Sequence, residues 1–123
     1  ITTFGKVCAN CHTLYIKAEG NKCIGFLKTG VKKLFIRDRT GSIHEIQPRC
    51  VLDFYVHENV QRGGHGKALF ERMLQAEKSQ PRKLAYDRPS VKLKAFLNKH
   101  YNLRNYVQQN NNYIVFEDYF HEE

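Results

Sequence analysis

The sequence predicts one mixed α/β domain in which helices cross over between strands. Three observations carry that prediction. The first third of the chain alternates short β-branched and aromatic runs with turn residues. The second half holds two apolar patterns at helical spacing, each flanked by strand-like runs. A length of 123 residues suits a single compact domain.

The elements follow in order. Thr13 to Lys17 is β-branched and aromatic, and "AEGN" supplies a turn. Cys23 to Lys28 is a second strand, which "TG" breaks, and Val31 to Arg37 a third, which "DRTGS" ends, giving an antiparallel meander. "CVLDFYVHE" is nearly continuous apolar sequence, the mark of a strand covered on both faces. Asp53 inside it calls for partners and is read as structural. After a glycine stretch, Leu69, Phe70, Met73 and Leu74 recur at helical spacing until "QPRK" stops the helix. "KLAYD" is a short strand. A second helix then carries Leu93, Phe96, Leu97 and His100 on one face, with Ser90 as its N-cap. "YIVFEDYF" is a last strand.

Composition narrows the function classes without choosing one. Lysine plus arginine exceeds aspartate plus glutamate by 20 to 12, a formal charge of +8, which favours an acidic partner: nucleic acid, an anionic surface, an acidic protein or a phosphorylated cofactor. No apolar run reaches the roughly 18 residues of a membrane span, and no secretory signal is visible. Cys8, Cys11, Cys23 and Cys50 are therefore read as thiols of a reducing compartment. "CANCH" has the outline of half a zinc site, a redox pair or a haem attachment site. It lacks the second ligand pair of a structural zinc, so ordinary thiols are the favoured reading and no metal is expected.

The glycine stretch "HENVQRGGHGKALFERML" carries the chemistry. A strand, a glycine loop and a helix together make an anion site, because the first helical turn has unpaired N–H groups and a partial positive charge. The spacing is neither that of a Walker loop nor G-x-G-x-x-G. It fits Q/R-x-x-G-x-G, with Gln61, Gly64 and Gly66 at the signature positions. That pattern resembles the coenzyme A loop of the GCN5-related N-acetyltransferases (GNAT). "VLDFYVHENVQRGGHG", "LAYDRPS", "FLNKHYNL" and "IGFLKTGVKKLF" narrow the resemblance to the α-tubulin N-acetyltransferases, from about Ile1 to Phe120.

The resemblance implies the following. The fold is the GNAT fold, a mixed central sheet with splayed strands flanked by helices. Residues 1–123 are one acetyltransferase domain lacking the family's N-terminal helical segment. The activity is acetyl transfer from acetyl-CoA, without a metal, to a luminal-loop lysine of α-tubulin in a ternary complex. The chain would be a monomer, cytoplasmic and associated with microtubules, cilium or axoneme, without nucleic acid or membrane insertion. Cys50 and Asp87 correspond to the catalytic centre, with the role of Cys50, base or structural, left open. Phe54, Tyr55, Val56, Gln61, Arg62, Gly63, Gly64, His65, Gly66 and Lys67 would hold the cofactor, joined by Ser90, Lys92, Asn98 and Lys99. Lys28, Lys32 and Phe35 match a basic and aromatic surface for the acidic substrate, although "RDRTGS" is more basic than the family version. Many GNAT members carry Phe-Tyr on the second helix, where the tyrosine protonates the leaving thiolate. Here the pair is Phe96-Leu97, so that acid is absent. The alternatives are the same chemistry on another protein lysine or a small amine, or a non-catalytic basic module that binds microtubules or nucleic acid.

Overall fold

The computed structural model describes residues 2–9, 11–57 and 64–121. Among these the elements run β1 (Thr2–Ala9), β2 (His12–Glu19), β3 (Lys22–Val31), β4 (Leu34–Arg37), β5 (Ile43–Ile46), β6 (Arg49–Val56), α1 (His65–Glu77), β7 (Leu84–Asp87), α2 (Val91–Tyr101) and β8 (Tyr113–Val115). The chain divides into two units, residues 1–30 with 51–79 and residues 31–50 with 80–123.

In the first unit β1, β2 and β3 are antiparallel neighbours, followed in the sheet by β6. The β2–β3 register shifts between Lys17 and Ala18, with Gly25 opposite Lys17 and Cys23 opposite Ala18. Ile24 is the extra residue of a β-bulge, and its carbonyl accepts a hydrogen bond from His57 N at 2.7 Å, just past β6. A Cβ on Gly25 would stand 2.6 Å from Tyr55 O, so only glycine lets the two backbones come this close. Helix α1 buries Leu69, Phe70 and Met73. The Phe70 ring stacks 6.0 Å from Phe54. At the far end of α1, Glu77 Oε2 accepts the Tyr15 and Thr29 hydroxyls, each at 2.7 Å. Tyr15 and Thr29 are buried, so the carboxylate ties the helix to β2 and β3 through charge-assisted bonds.

In the second unit β4 and β5 form a hairpin with Phe35 opposite Glu45 and Arg37 opposite Ile43. Leu34 and Ile36 point inward and are buried, while Phe35 and Ile43 are exposed. The hairpin turn is closed by Asp38: Oδ1 accepts Thr40 N and Ser42 N, and Oδ2 meets His44 Nε2 at 2.7 Å. Hydrogen bonds from His44 and Thr40 hold this carboxyl far below the usual carboxylate range. Strands β7 and β8 are antiparallel, with Ala85 opposite Val115, Tyr86 opposite Ile114 and Asp87 opposite Tyr113. Leu84, Ala85, Tyr86, Leu97, Val115 and Phe116 form the core of this unit.

The order strand, helix, strand, helix, strand after the meander is as the sequence predicts, and Ser90 Oγ caps α2 by accepting Leu93 N at 3.0 Å. Several expectations are corrected. "TG" does not break a strand: Thr29 and Gly30 lie within β3, and the break falls at Lys32 and Lys33. Strands β1 and β5 were not expected. β6 is not covered on both faces, since from Leu52 its residues alternate between half-buried and exposed, and Asp53 is exposed. "YIVFEDYF" is a strand only to Val115 and then turns into a 3-10 helix, Glu117–Phe120. His100 keeps the face it shares with Phe96, their rings 4.8 Å apart, and is exposed there.

Candidate active site

The first unit carries the glycine turn. Gln61, Arg62 and Gly63 lie outside the described residues. Gly64 caps α1 with φ +77°, a left-handed conformation that favours glycine. The amides of His65, Gly66 and Lys67 precede the first intrahelical bond, Ala68 N to Gly64 O at 3.1 Å, and no acidic side chain occupies this turn. Among the described residues a Cβ on Gly66 would meet Val56 Cγ2 at 3.5 Å and Phe54 Cζ at 3.7 Å, ordinary contacts. The described neighbours therefore do not demand glycine at position 66. His65 Nδ1 is enclosed and has no hydrogen-bond partner among the described residues. A positive helix end, an uncrowded glycine backbone and the exposed Lys67 suit a bound anion such as a pyrophosphate.

The sequence-predicted residues of β6 are spread along its outer half. Tyr55 is exposed, its ring 5.7 Å from Phe26, while Phe54 and Val56 are half-buried beside the helix start. On α2 the picture is mixed. Ser90 Oγ accepts Leu93 N as the cap, which leaves its O–H able to donate, and Asn98 Oδ1 accepts Arg104 Nε at 3.0 Å. Lys92 and Lys99 are exposed, Lys99 in the last turn where a cation complements the helix dipole.

Cys50 and Asp87 belong to the second unit, and the Asp87 carboxylate acts on the Cys50 thiol. Cys50 is fully buried and its thiol donates to Pro48 O at 3.5 Å. Burial pushes the thiol up to about 11, against the pull of the Lys32 backbone N–H and of the charges on Lys32 and Arg49. At neutral pH Cys50 is thus a neutral thiol, and Arg49 does not make it a thiolate. Asp87 ends β7 and is half-buried, and Oδ1 meets the exposed Arg88 Nε at 3.3 Å. Sequence reasoning missed Tyr113. It lies directly opposite Asp87 and is coupled to both Asp87 and Cys50. Only the β7–β8 register reveals it.

Of the proposed acceptor surface, Phe35 is 61% exposed. It stands on the outer hairpin face with Glu45, which pairs with Lys33 Nζ at 2.9 Å. Lys33 and Phe35 thus share a face, as alternation predicts. Lys32 is half-buried, and its N–H donates to Pro48 O at 3.4 Å. Lys28 is half-buried on β3 in the first unit. Among the described residues no group of three or more His, Cys, Asp or Glu is placed to hold a metal ion, and Cys8, Cys11 and Cys23 are exposed free thiols.

A family model described as GNAT acetyltransferase, Mec-17, matches residues 1–123. The chain belongs to this family. An alpha-tubulin N-acetyltransferase of Tetrahymena thermophila is 61% identical over 120 residues, 98% of this chain and 30% of the relative. One of Trichoplax adhaerens is 54% identical over 127 residues, 98% of this chain and 53% of the relative. The chain thus spans from under a third to about half the length of these curated relatives. Among solved structures, glucosamine-6-phosphate N-acetyltransferase from Arabidopsis thaliana superposes with a TM-score of 0.55 at 19% identity, over 80% of this chain and 64% of that one. At that identity the likeness concerns the fold alone. The α/β fold is that of the GNAT acetyltransferases, a mixed sheet with flanking helices.

Proposed function

We propose that the chain transfers an acetyl group from acetyl-CoA to a lysine side chain of α-tubulin, on the luminal loop of microtubules. The observation that carries this reading is the 61% identity with the Tetrahymena thermophila alpha-tubulin N-acetyltransferase across 98% of the chain. Acting on microtubules, it would be cytoskeleton-associated.

The glycine turn supports the donor side. Gly64, His65, Gly66 and Lys67, with Gln61, Arg62 and Gly63 before them, present backbone amides and positive charge to the pyrophosphate. Phe54, Tyr55 and Val56 offer strand backbone to the pantetheine arm, and Ser90, Lys92, Asn98 and Lys99 polar contacts from α2. When bound, acetyl-CoA supplies an acetyl thioester whose transfer to an amine releases the coenzyme A thiol. The acceptor lysine arrives as an ammonium, since its pKa near ~10.4 leaves only about 0.1% neutral at pH 7.4. Asp87 attracts that ammonium and takes one proton from it, which frees the lone pair that forms the C–N bond, and the second proton the nitrogen loses leaves with the coenzyme A thiol. Cys50, held as a neutral thiol, is no base at neutral pH and shapes the wall behind the reacting nitrogen. Position 97 is leucine, which carries no acid, so that position supplies no proton to the departing thiol. Lys28, Lys32 and Phe35 receive the acidic acceptor.

The test incubates the protein with acetyl-CoA and, separately, polymerised tubulin and histones. Failure to bind acetyl-CoA would sink the enzyme reading, and transfer to histones but not tubulin would sink the acceptor. Asp87→Asn is expected to depress turnover with acetyl-CoA affinity nearly unchanged. A large affinity loss with normal turnover at saturation would remove the role given to Asp87.

A further inference from the structure

Tyr113 lies directly across the β7–β8 ladder from Asp87. Directly opposed residues of an antiparallel pair project to the same face, with Cβ atoms about 4.5–5.5 Å apart. Along β8 Ile114 and Val115 are buried, and Tyr113 alone keeps partial exposure. Its hydroxyl makes no hydrogen bond to any described residue, although its backbone N–H donates to Asn111 Oδ1 at 3.1 Å. The pair sits at the end of the ladder, and non-glycine residues in the left-handed region bracket it: Arg88 at φ +43° follows Asp87, and Asn112 at φ +67° precedes Tyr113. Arg88 N donates to Asn112 O at 2.9 Å and closes this end. Backbone strain of this kind persists where the surroundings hold it, and it concentrates at functional sites. Asp87 makes one ion pair, through Oδ1, with Arg88. Its Oδ2 makes no hydrogen bond or ion pair with a described residue.

We infer that the Tyr113 hydroxyl forms the second half of the acceptor-amine site: its oxygen accepts a hydrogen bond from the incoming ammonium while Asp87 supplies the opposing charge. The inference rests on the acetyltransferase reading for the identity of the amine, and on this pair alone for the place where the amine binds. Burial first, then the neighbouring Asp87 and Cys50, raises the phenol above its usual range, so it stays a neutral hydroxyl through the working pH. A neutral hydroxyl can accept from an N–H without adding a competing charge. One charged and one neutral oxygen, from adjacent strands, fix the direction of approach, which a lone carboxylate cannot.

Two measurements test this. The first needs no acetyl transfer. In protein labelled with carbon-13 at the tyrosine Cζ, with the Tyr113 signal assigned through Tyr113→Phe, n-butylammonium chloride should move that signal saturably. Tetramethylammonium chloride, which carries the charge but no N–H, should not. No saturable shift, or an equal shift with tetramethylammonium, overturns the inference. The second is steady-state kinetics with tubulin as acceptor. Tyr113→Phe should lower kcat/KM for the acceptor by roughly tenfold, leave KM for acetyl-CoA within about twofold, and leave the Tm unchanged. Unaltered acceptor kcat/KM overturns it. A butylammonium response in a protein that transfers no acetyl group would instead refute the acetyltransferase reading and leave the amine site standing.

Discussion

The Cys50 thiol tests how the chemistry is divided. Its pKa of about 11 leaves about 0.1% thiolate at pH 8, against about a quarter for an ordinary thiol near ~8.5, a ratio of roughly 240. The more basic thiolate is also the stronger nucleophile: with a Brønsted slope near ~0.45, the ~2.5-unit difference returns roughly 13-fold. Thiol–disulfide exchange at Cys50 should therefore run about 20-fold slower than at an ordinary exposed thiol, before any loss of access. Because Cys50 is fully buried, that figure is a lower bound on the slowing. The sign with pH follows from the same pKa: the Cys50 rate should climb about tenfold per pH unit and go on climbing past pH 9, where an ordinary thiol has levelled off. A small disulfide reagent, quenching at timed intervals and peptide mass spectrometry will follow each cysteine, with the exposed Cys8, Cys11 and Cys23 as internal standards. If Cys50 reacts as fast as they do between pH 7 and 8, it is a thiolate, the burial argument is wrong, and a Cys50 general base returns.

Tyr15→Phe removes one of the two hydroxyls that Glu77 accepts. At about 1.5–3 kcal/mol for a bond to a charged group, and an unfolding entropy near ~0.26 kcal/mol/K for 123 residues, the Tm should fall by roughly 6–12 °C in calorimetry. An unchanged Tm would remove the clamp. Gly66→Ala should leave the Tm within about 2 °C, since its Cβ makes ordinary contacts with the described residues, yet raise KM for acetyl-CoA at least about tenfold by thickening the wall of the proposed pyrophosphate site. Equal KM values would contradict a pyrophosphate on that backbone. Ser90→Ala should cost about 1 kcal/mol, read as a drop in the denaturation midpoint at unchanged m-value, and no drop would mean that the cap on α2 contributes nothing.

What was legible in the sequence follows from the range of the forces involved. α1 could be read because Leu69, Phe70 and Met73 bury one stripe of a local helix, and Ser90 because its cap bond reaches only three residues along the chain. β1 and β5 were missed because their residues are mostly exposed: "TFGKVCA" and "IHEI" present no apolar alternation and owe their strand form to the partner across the ladder. Asp53 was misread for a related reason. An apolar run suggests two covered faces, but from Leu52 onward β6 buries its residues only in part and on one side, and the aspartate faces out. "TG" misled because turn composition is a local signal, whereas Thr29 is held within β3 by a hydroxyl bond to Glu77, 48 residues on.

The candidate site divides along the same line. The glycine turn is contiguous, so spacing alone exposes it, and the structure adds that φ favours glycine at Gly64 while packing against the described residues does not require it at Gly66. Asp87 and Cys50 are 37 residues apart, and composition gives neither a role; only the family pattern marked them. Tyr113 lies beyond both kinds of signal, in a run that reads as ordinary aromatic strand. Its neighbourhood with Asp87 depends on the register of a three-pair ladder. A slip of one residue would place Ile114 opposite Asp87 and turn the phenol to the other face. Arg88 N to Asn112 O and Tyr113 N to Asn111 Oδ1 close the ladder at that end and hold the register. The asparagines of "QNNNY", which in sequence look like loop filler, thus align the oxygens that meet the amine. Exchanging Asn111 for alanine should lower acceptor kcat/KM more than it lowers acetyl-CoA affinity, because the donor side does not depend on that register.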